Sequence, residues 1–214
     1  MNKIFNIVVI LLVSLLFMNC NKSEEQQIKN DFNGNSGIFQ DPRDQKTYDW
    51  VRIGNQIWLA NNLDFSLSSG TWYYNSNPDL SNEYGRLYTD EAALQAIPKG
   101  WHLPSLEEIN ILTEYLGGLS VAGGKMKQHG VSQWNLPNVG ADNISGFSAL
   151  PGGMYDPGDG FYEKGKTAYF WTSSTRDEGS TPNIYYYYLE SADASINFDS
   201  TDPAVGFSVR CILD

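Results

Sequence analysis

Residues 47–63 read TYDWVRIGNQIWLANNL, and within them two β-prone runs, Tyr48–Ile53 and Gln56–Ala60, flank Gly54-Asn55. A two-residue loop of Gly and Asn between such runs marks a β-hairpin, because these residues adopt the backbone angles of the tight turn at low cost. Downstream the pattern turns helical. Asp90–Ala96 is a run of good helix formers closed by Pro98. Ser105–Leu116 is better marked: Ser105 can cap, Glu108 completes a capping box, and Leu106, Ile109, Leu112 and Leu116 make one apolar stripe. Gly117 closes that helix, and Ala122–Gln128 adds a further turn or two. Beyond Trp134 strands return, expected at Phe147–Leu150, Ala168–Ser173, Ile184–Glu190, Ala194–Asp199 and Gly206–Leu213, parted by Gly, Pro, Asn and Asp. Helices ahead of a run of strands predict an α+β domain with antiparallel sheets.

The chain has 214 residues, 41% of them hydrophobic and 14% aromatic, which excludes a disordered protein because there is enough apolar surface for a core. Fourteen Lys and Arg stand against 25 Asp and Glu, a formal charge of -11. Such a surface repels phosphate backbones, so nucleic acid is excluded as a partner.

The first residues differ from the rest. Lys3 precedes an apolar run from Ile4 to Met18, broken only by Asn6 and Ser14, which is short for a bilayer-spanning helix and of the right length for an export signal. Cys20 stands where this run meets a polar one, and the arrangement resembles a bacterial lipoprotein signal. Residues 1–19 are then the signal peptide and Cys20 the lipid attachment site. Phe17 and Asn19 depart from the motif, which prefers Leu and a small residue at those places. The membrane partner would be reached through the N-terminal lipid rather than through charge. Residues 20–37 carry only Ile28 and Phe32 as large apolar side chains and read as a flexible tether, at most roughly 60 Å long when extended. Ser23-Glu24-Glu25 resembles the surface-export signal of lipoproteins in the Bacteroidetes, which gives an expected location at the outer membrane or cell surface.

Residues 38–214 have the size of one domain. Eight segments in order, TYDWVRIGNQIWLANNL (47–63), YGRLYT (84–89), PKGWHLPSLEE (98–108), LGG (116–118), AGGKMK (122–127), SGFSALPGG (145–153), FWTSST (170–175) and GFSVRCILD (206–214), closely resemble the Fibrobacter succinogenes major paralogous domain. The resemblance implies a C-type lectin-like fold, akin to the formylglycine-generating enzymes, in a single domain with short helices and twisted antiparallel sheets. It also implies a secreted or surface lipoprotein, and leaves the activity open. The family usually carries a Cys just before the Pro-x-Gly-Trp-His segment, implied to pair with the Cys of the last strand. Here Ile97 stands there, so Cys211 has lost that partner. On a strand Phe207, Val209, Cys211 and Leu213 face one side and Ser208, Arg210 and Ile212 the other, which makes Cys211 a buried, inert thiol.

No catalytic set stands out. The formylglycine-generating enzymes use a pair of cysteines, whereas this chain has only Cys20, assigned to lipid, and Cys211, assigned to the core. His102 and His129 belong to no HExxH pair; His102 reads as a structural histidine bonded to backbone and His129 as exposed. Asp156, Asp159 and Glu163 could pair as in a glycosidase, but DPGDG is a turn sequence. Thr181-Pro182-Asn183, with Asp177 and Glu178 nearby, is an imperfect echo of a calcium-dependent sugar loop. The expectation is therefore a protein that is not an enzyme and carries no cofactor and no metal.

Aromatics carry the binding reading. Sugars are held by ring faces beside hydrogen-bonding groups, and loops on a rigid scaffold are where binding resides. Trp72, Tyr73 and Tyr74 lie on a Gly- and Asn-rich loop, and Tyr185–Tyr188 on a strand. There Tyr185, Tyr187 and Leu189 face one way and Ile184, Tyr186 and Tyr188 the other, so one set should be buried. The candidate ligand-binding residues are Trp72, Tyr73, Tyr74, Tyr186 and Tyr188. Trp58, Trp101, Trp134 and Trp171 read as core. The expected function is a non-enzymatic surface lipoprotein that recognises a glycan or a surface protein; the alternative is a structural or assembly component of the cell envelope without a small ligand.

Overall fold

The computed structural model describes residues 32–177 and 182–214, and Ser36–Asp214 make one unit with its own core. The expected signal peptide (1–19), the expected lipid site Cys20 and the expected tether up to residue 31 lie outside the described residues, as do Glu178 and Thr181.

The unit begins with an antiparallel meander of β1 (Ser36–Gln40), β2 (Thr47–Ile53) and β3 (Gln56–Leu59), the last two joined at Gly54-Asn55. Ser36 and Gly37, placed in the tether by the sequence, pair with Val51 and Trp50 instead. Two short strands follow, β4 (Thr71–Trp72) and β5 (Leu87–Tyr88), and between them lie 3-10 turns and α1 (Ser81–Tyr84). Next come α2 (Asp90–Ala96), β6 (Trp101–His102), α3 (Leu106–Tyr115) and α4 (Leu119–Met126). The caps explain the helices: Thr89 accepts from the Ala92 N–H, and Ser105 and Glu108 form a reciprocal capping box. The hairpin of β7 (Met154–Asp156) and β8 (Gly160–Tyr162) leads into β9 (Thr167–Arg176), β10 (Asn183–Glu190), β11 (Asn197–Thr201) and β12 (Ile212–Leu213). Among the described residues one sheet runs β1-β2-β3-β12-β6 and another β11-β10-β9, every named pair antiparallel, so the domain is α+β. No helix among the described residues is long and apolar enough to cross a membrane.

The core packs Trp58, Ile109, Leu112, Met126, Trp134, Phe147, Phe170 and Tyr187 between the helices and the two sheets. Trp58, Trp101, Trp134 and Trp171 are all buried. The Gly-Gly of AGGK lets α4 come unusually close to its neighbours. A Cβ on Gly123 would stand 2.0 Å from the Ser195 carbonyl oxygen, and one on Gly124 2.5 Å from that of Gly140.

Three segments depart from the sequence expectation. Phe147–Leu150 is not a strand; only Ala149 bridges, to Lys127, because the carbonyls of Phe147 and Ser148 turn toward Arg210. The expected strand Gly206–Leu213 pairs by single bridges at Gly206, Phe207 and Ser208 before β12. It is buried on both faces, so Ser208 and Arg210 are inside along with Val209 and Cys211. Cys211 is free and buried, and burial pushes its thiol up to about 12. Finally, β11 begins at Asn197, not Ala194.

Arg210 is the largest fully buried charged side chain among the described residues. Its Nε donates to Asn62 Oδ1 at 2.7 Å, Nη1 to the Leu59 carbonyl at 3.2 Å and to that of Phe147, and Nη2 to the Ser148 carbonyl at 2.9 Å. The guanidinium also lies 4.6 Å from the Phe147 ring centroid. Burial pulls its pKa down to about 9, still above neutral, so it remains a cation. Replacing it by Met leaves Asn62 and three carbonyls facing an apolar side chain. Arg210→Met should cost about 3–5 kcal/mol, read as a lower urea midpoint. Arg210→Lys should recover little of this, because one ammonium lacks the planar fork; a wild-type midpoint for Lys would refute the assignment.

His102 is bonded to carboxylates and not to backbone as the sequence suggested. Its Nε2 lies 2.8 Å from Glu108 Oε1 and its Nδ1 2.7 Å from Asp214 Oδ1, tying the start of α3 to the end of β12. Burial works to lower its pKa, but the two carboxylates outweigh that and raise it. For Glu108 burial raises, and the Ser105 N–H and His102 outweigh it, so its pKa falls. The His102 contribution is therefore complete below about pH 6.5 and lost as pH rises through the raised value; that of Glu108 is present above about pH 4.3 and lost as pH falls through the lowered one. Because His102 is 38% exposed, solvent screening keeps the effect below about 1 kcal/mol. His102→Gln should lower stability between about pH 4.5 and 6.5 and converge on wild type in alkali. Equal destabilisation across pH in urea melts would show that the ring acts by packing alone.

Candidate aromatic ligand surface

Trp72, Tyr73 and Tyr74 leave β4 half-buried, and the structure sends them two ways. The Trp72 ring stacks on Tyr155 of β7 at 4.1 Å and 28°. Tyr74 meets Phe161 of β8 at 5.5 Å, and Phe161 meets Tyr155 at 4.9 Å. Asn75 and Ser76, which follow, hold positive φ angles of 53° and 55°. Tyr73 turns instead to Arg86, whose guanidinium lies 3.7 Å from the ring centroid and donates to its hydroxyl. Arg86 Nε in turn stands 3.2 Å from Asp64 Oδ1.

The tyrosine strand β10 lies between β9 and β11. Tyr187 and Leu189 are buried in the core, while Tyr186 and Tyr188 are half-buried on the opposite face. Ile184 breaks the expected alternation: a register irregularity between Ile184 and Tyr186 puts it inside. Tyr186, Tyr188 and Tyr169 of β9 sit within 5.9 Å of one another, ring to ring. Phe207 stacks on Tyr169 at 5.0 Å and 11°, and lies 4.7 Å from Tyr186. Across β11, Asp199 pairs with Tyr186 and Asn197 with Tyr188. Burial and the nearby Asp199 push the Tyr186 phenol up to about 12, so it stays a donor at neutral pH.

Gly206-Phe207 joins the two groups. Tyr155 and Gly206 exchange both backbone hydrogen bonds, at 3.0 and 2.7 Å. A Cβ on Gly206 would fall 3.0 Å from the Tyr155 Cβ and 3.3 Å from the Trp72 ring. Trp72 thus packs over the glycine, and the next residue, Phe207, touches Tyr186 and Tyr169. Tyr74, Phe161, Tyr155 and Trp72 form one group of half-buried rings and Tyr186, Tyr188 and Tyr169 a second. The two, together called the band, come from five segments and are joined beneath through the buried Gly206 and Phe207. Ring faces fixed by their neighbours offer apolar area at low entropic cost, with hydroxyls, Asn197 and Asp199 at the margin as hydrogen-bonding partners.

Tyr155, Phe161, Tyr169 and Phe207 escaped the sequence reading. The signal was the aromatic content on both sides of DPGDG, which was read only as a turn. It is a turn: Asp156 Oδ1 accepts from the Gly158 and Asp159 N–H groups at 2.7 and 3.2 Å. Glu163 holds a φ of 64° and accepts from Tyr169 and, at 2.7 Å, from Lys166. Burial would raise its pKa, but Lys166 and Tyr169 outweigh that and hold it low. Among the described residues no three His, Cys, Asp or Glu side chains converge as metal ligands. His129 is exposed, its Nδ1 2.9 Å from the Ala141 carbonyl oxygen.

The profile of the Fibrobacter succinogenes major domain matches residues 51–213, a span that takes in β3 through β12 and every ring of the band. No curated protein and no solved structure matches the chain. With most of its length covered in this way, the chain belongs to the Fibrobacter succinogenes major domain family.

Proposed function

We propose that this domain is a non-catalytic recognition module that holds a glycan across the aromatic band, on a scaffold of the C-type lectin-like type shared with the formylglycine-generating enzymes. The single observation that carries the reading is that one buried segment holds both groups of half-buried rings. Trp72 and Tyr186, more than a hundred positions apart, are each set by Gly206-Phe207, and polar groups stand beside the rings. Pyranose rings present C–H faces and equatorial hydroxyls, and such a surface meets both needs. The lipoprotein reading rests on the sequence: Lys3, the apolar run to Met18 and Cys20 support export, acylation and display at the outer membrane or cell surface.

The test is glycan-array and calorimetric binding with residues 20–214 carrying Cys20→Ser. Each lost ring contact is worth about 0.5–1.5 kcal/mol, so Tyr186→Ala and Tyr188→Ala should each weaken binding by up to about tenfold, with little change in unfolding midpoint. A folded protein that binds no glycan would sink the proposal and leave the structural envelope role. Acylation is checked by mass spectrometry of the cell-derived protein, where Cys20→Ser should abolish a lipid adduct.

A further inference from the structure

A polar cavity lies beyond Tyr73. About 290 Å³ in volume, it opens between the start of β2, the segment Asn61–Asp64 and α1. Every side chain lining it carries a hydrogen-bonding group; Lys46, Asn61, Asn62, Asp64, Ser81 and Asn82 supply most of them. Its size is at the lower end of small-molecule sites, room for one small ring and not for a long ligand.

The floor is rigid. Asn62 is buried, its Nδ2 donating to the Tyr84 carbonyl at 2.9 Å while its Oδ1 accepts from Arg210 at 2.7 Å. Asp64 is buried too, and Lys46 Nζ lies 2.5 Å from its Oδ2 and donates to its carbonyl at 2.6 Å. On its other side Asp64 faces Arg86, and Arg86 lies over Tyr73. The rim is different in kind: Asn61 and Asn82 are exposed.

The chemistry of these groups selects the ligand. Hydrogen-bonding side chains dominate the lining and the apolar part is the smaller one, with the Tyr48 ring among its residues, so the cavity favours a polar molecule with some C–H surface over a hydrophobic one. The Asp64 carboxylate in the floor opposes an anion, and Lys46 and Arg86 beside it oppose a cation. What remains is a small neutral molecule with many hydroxyls. A hydroxyl both donates and accepts. The Asn62 amide is committed to Tyr84, Ser208 and Arg210, and Asn61 Oδ1 to the Asp49 N–H. The lining groups left for neighbouring hydroxyls are the Asn61 amide N–H groups, the Asn82 amide and the Ser81 hydroxyl, beside the Lys46–Asp64 pair. Beneath the surface, the buried Asp64 and Arg86 link Lys46 at the cavity to Tyr73, the residue between Trp72 and Tyr74.

We infer that this cavity is a subsite for one neutral sugar unit, the end residue of the chain whose body lies on the aromatic band. The inference deepens the glycan reading and rests on it for the second half of that statement only. The band supplies stacking along a polymer; the cavity reads the hydroxyls of a terminus.

The experiment follows side-chain amide and backbone NMR signals of the residue 20–214 protein with Cys20→Ser. Glucose, galactose, mannose and N-acetylglucosamine are titrated first, then their oligomers. At least one monosaccharide should shift Asn61, Asn62 and Asn82 without shifting Tyr186 or Tyr188. Asn82→Ala should weaken that binding about tenfold, and Asn82→Trp, which fills the mouth from an exposed position, should abolish it. Tyr188→Ala should leave monosaccharide binding unchanged and weaken only the oligomers. Oligomers that shift the band but never the cavity, with affinity untouched by Asn82→Trp, would overturn the subsite and leave the band. Monosaccharides that shift the cavity while oligomers bind no tighter and ignore Tyr188→Ala would overturn the band and leave the subsite. A protein that shifts with no sugar loses both.

Discussion

A guanidinium buried without a carboxylate partner is the constraint around which this domain is arranged. Arg210 must find acceptors on four sides, and it finds them in Asn62, Leu59, Phe147 and Ser148. An uncompensated buried charge is far more costly than any surface pair is favourable, so these four positions cannot drift independently. They fix the end of β3, the loop of Phe147 and Ser148, and the last segment of the chain against one another. Lys127 repeats the device elsewhere in the core. It is fully buried, and its Nζ donates to the carbonyls of Val139, Glu190 and Asp193 at 2.9, 2.8 and 2.7 Å. Burial lowers its pKa to about 8, which leaves it charged near neutrality. Two cations thus pin loops through backbone oxygens in a chain rich in acids, and backbone acceptors cannot be titrated away.

The candidate site inherits its geometry from this arrangement. Gly206 and Phe207 lie just before Arg210 on the same buried segment, so anchoring the guanidinium also sets where Phe207 meets Tyr169 and Tyr186 and where Trp72 closes over Gly206. The rings of the band support each other and are held from below by the core. Their faces are therefore presented in fixed positions, which reduces the ordering cost of binding. The polar cavity has the same origin, since its floor residue Asn62 is the side chain that accepts from Arg210 Nε. A change at Arg210 should disturb both surfaces together, whereas a change at Asn82 or Tyr188 touches one.

Much of the framework could be read from local sequence. The β2–β3 turn, α2 with Thr89 as its cap, and α3 with the Ser105–Glu108 capping box stand where the residues put them, because each is fixed by interactions within a few positions. The four core tryptophans and the buried Cys211 were legible for a similar reason: large apolar groups have few alternatives to the interior. Alternation failed where it met non-local demands. Arg210 and Ser208 were assigned to the face opposite Cys211, yet both faces are buried, and Ile184 was grouped with Tyr186.

Local sequence was enough for the α+β class, the family, α2 and α3, and the choice of Trp72, Tyr74, Tyr186 and Tyr188 as candidate rings, whereas α1 was not foreseen and α4 begins three residues before the expected start. The closed fold alone brings these rings into two groups bridged by Gly206-Phe207, sends Tyr73 to Arg86, adds Tyr155 and Phe161, and opens a polar cavity beyond Tyr73. The difference is physical. Caps, turns and apolar periodicity act over a handful of residues, and each is written where it acts. The band and the cavity exist because a buried cation draws together segments up to about 150 positions apart, and burying a charge in that way is a property of the closed core and of no single stretch of chain.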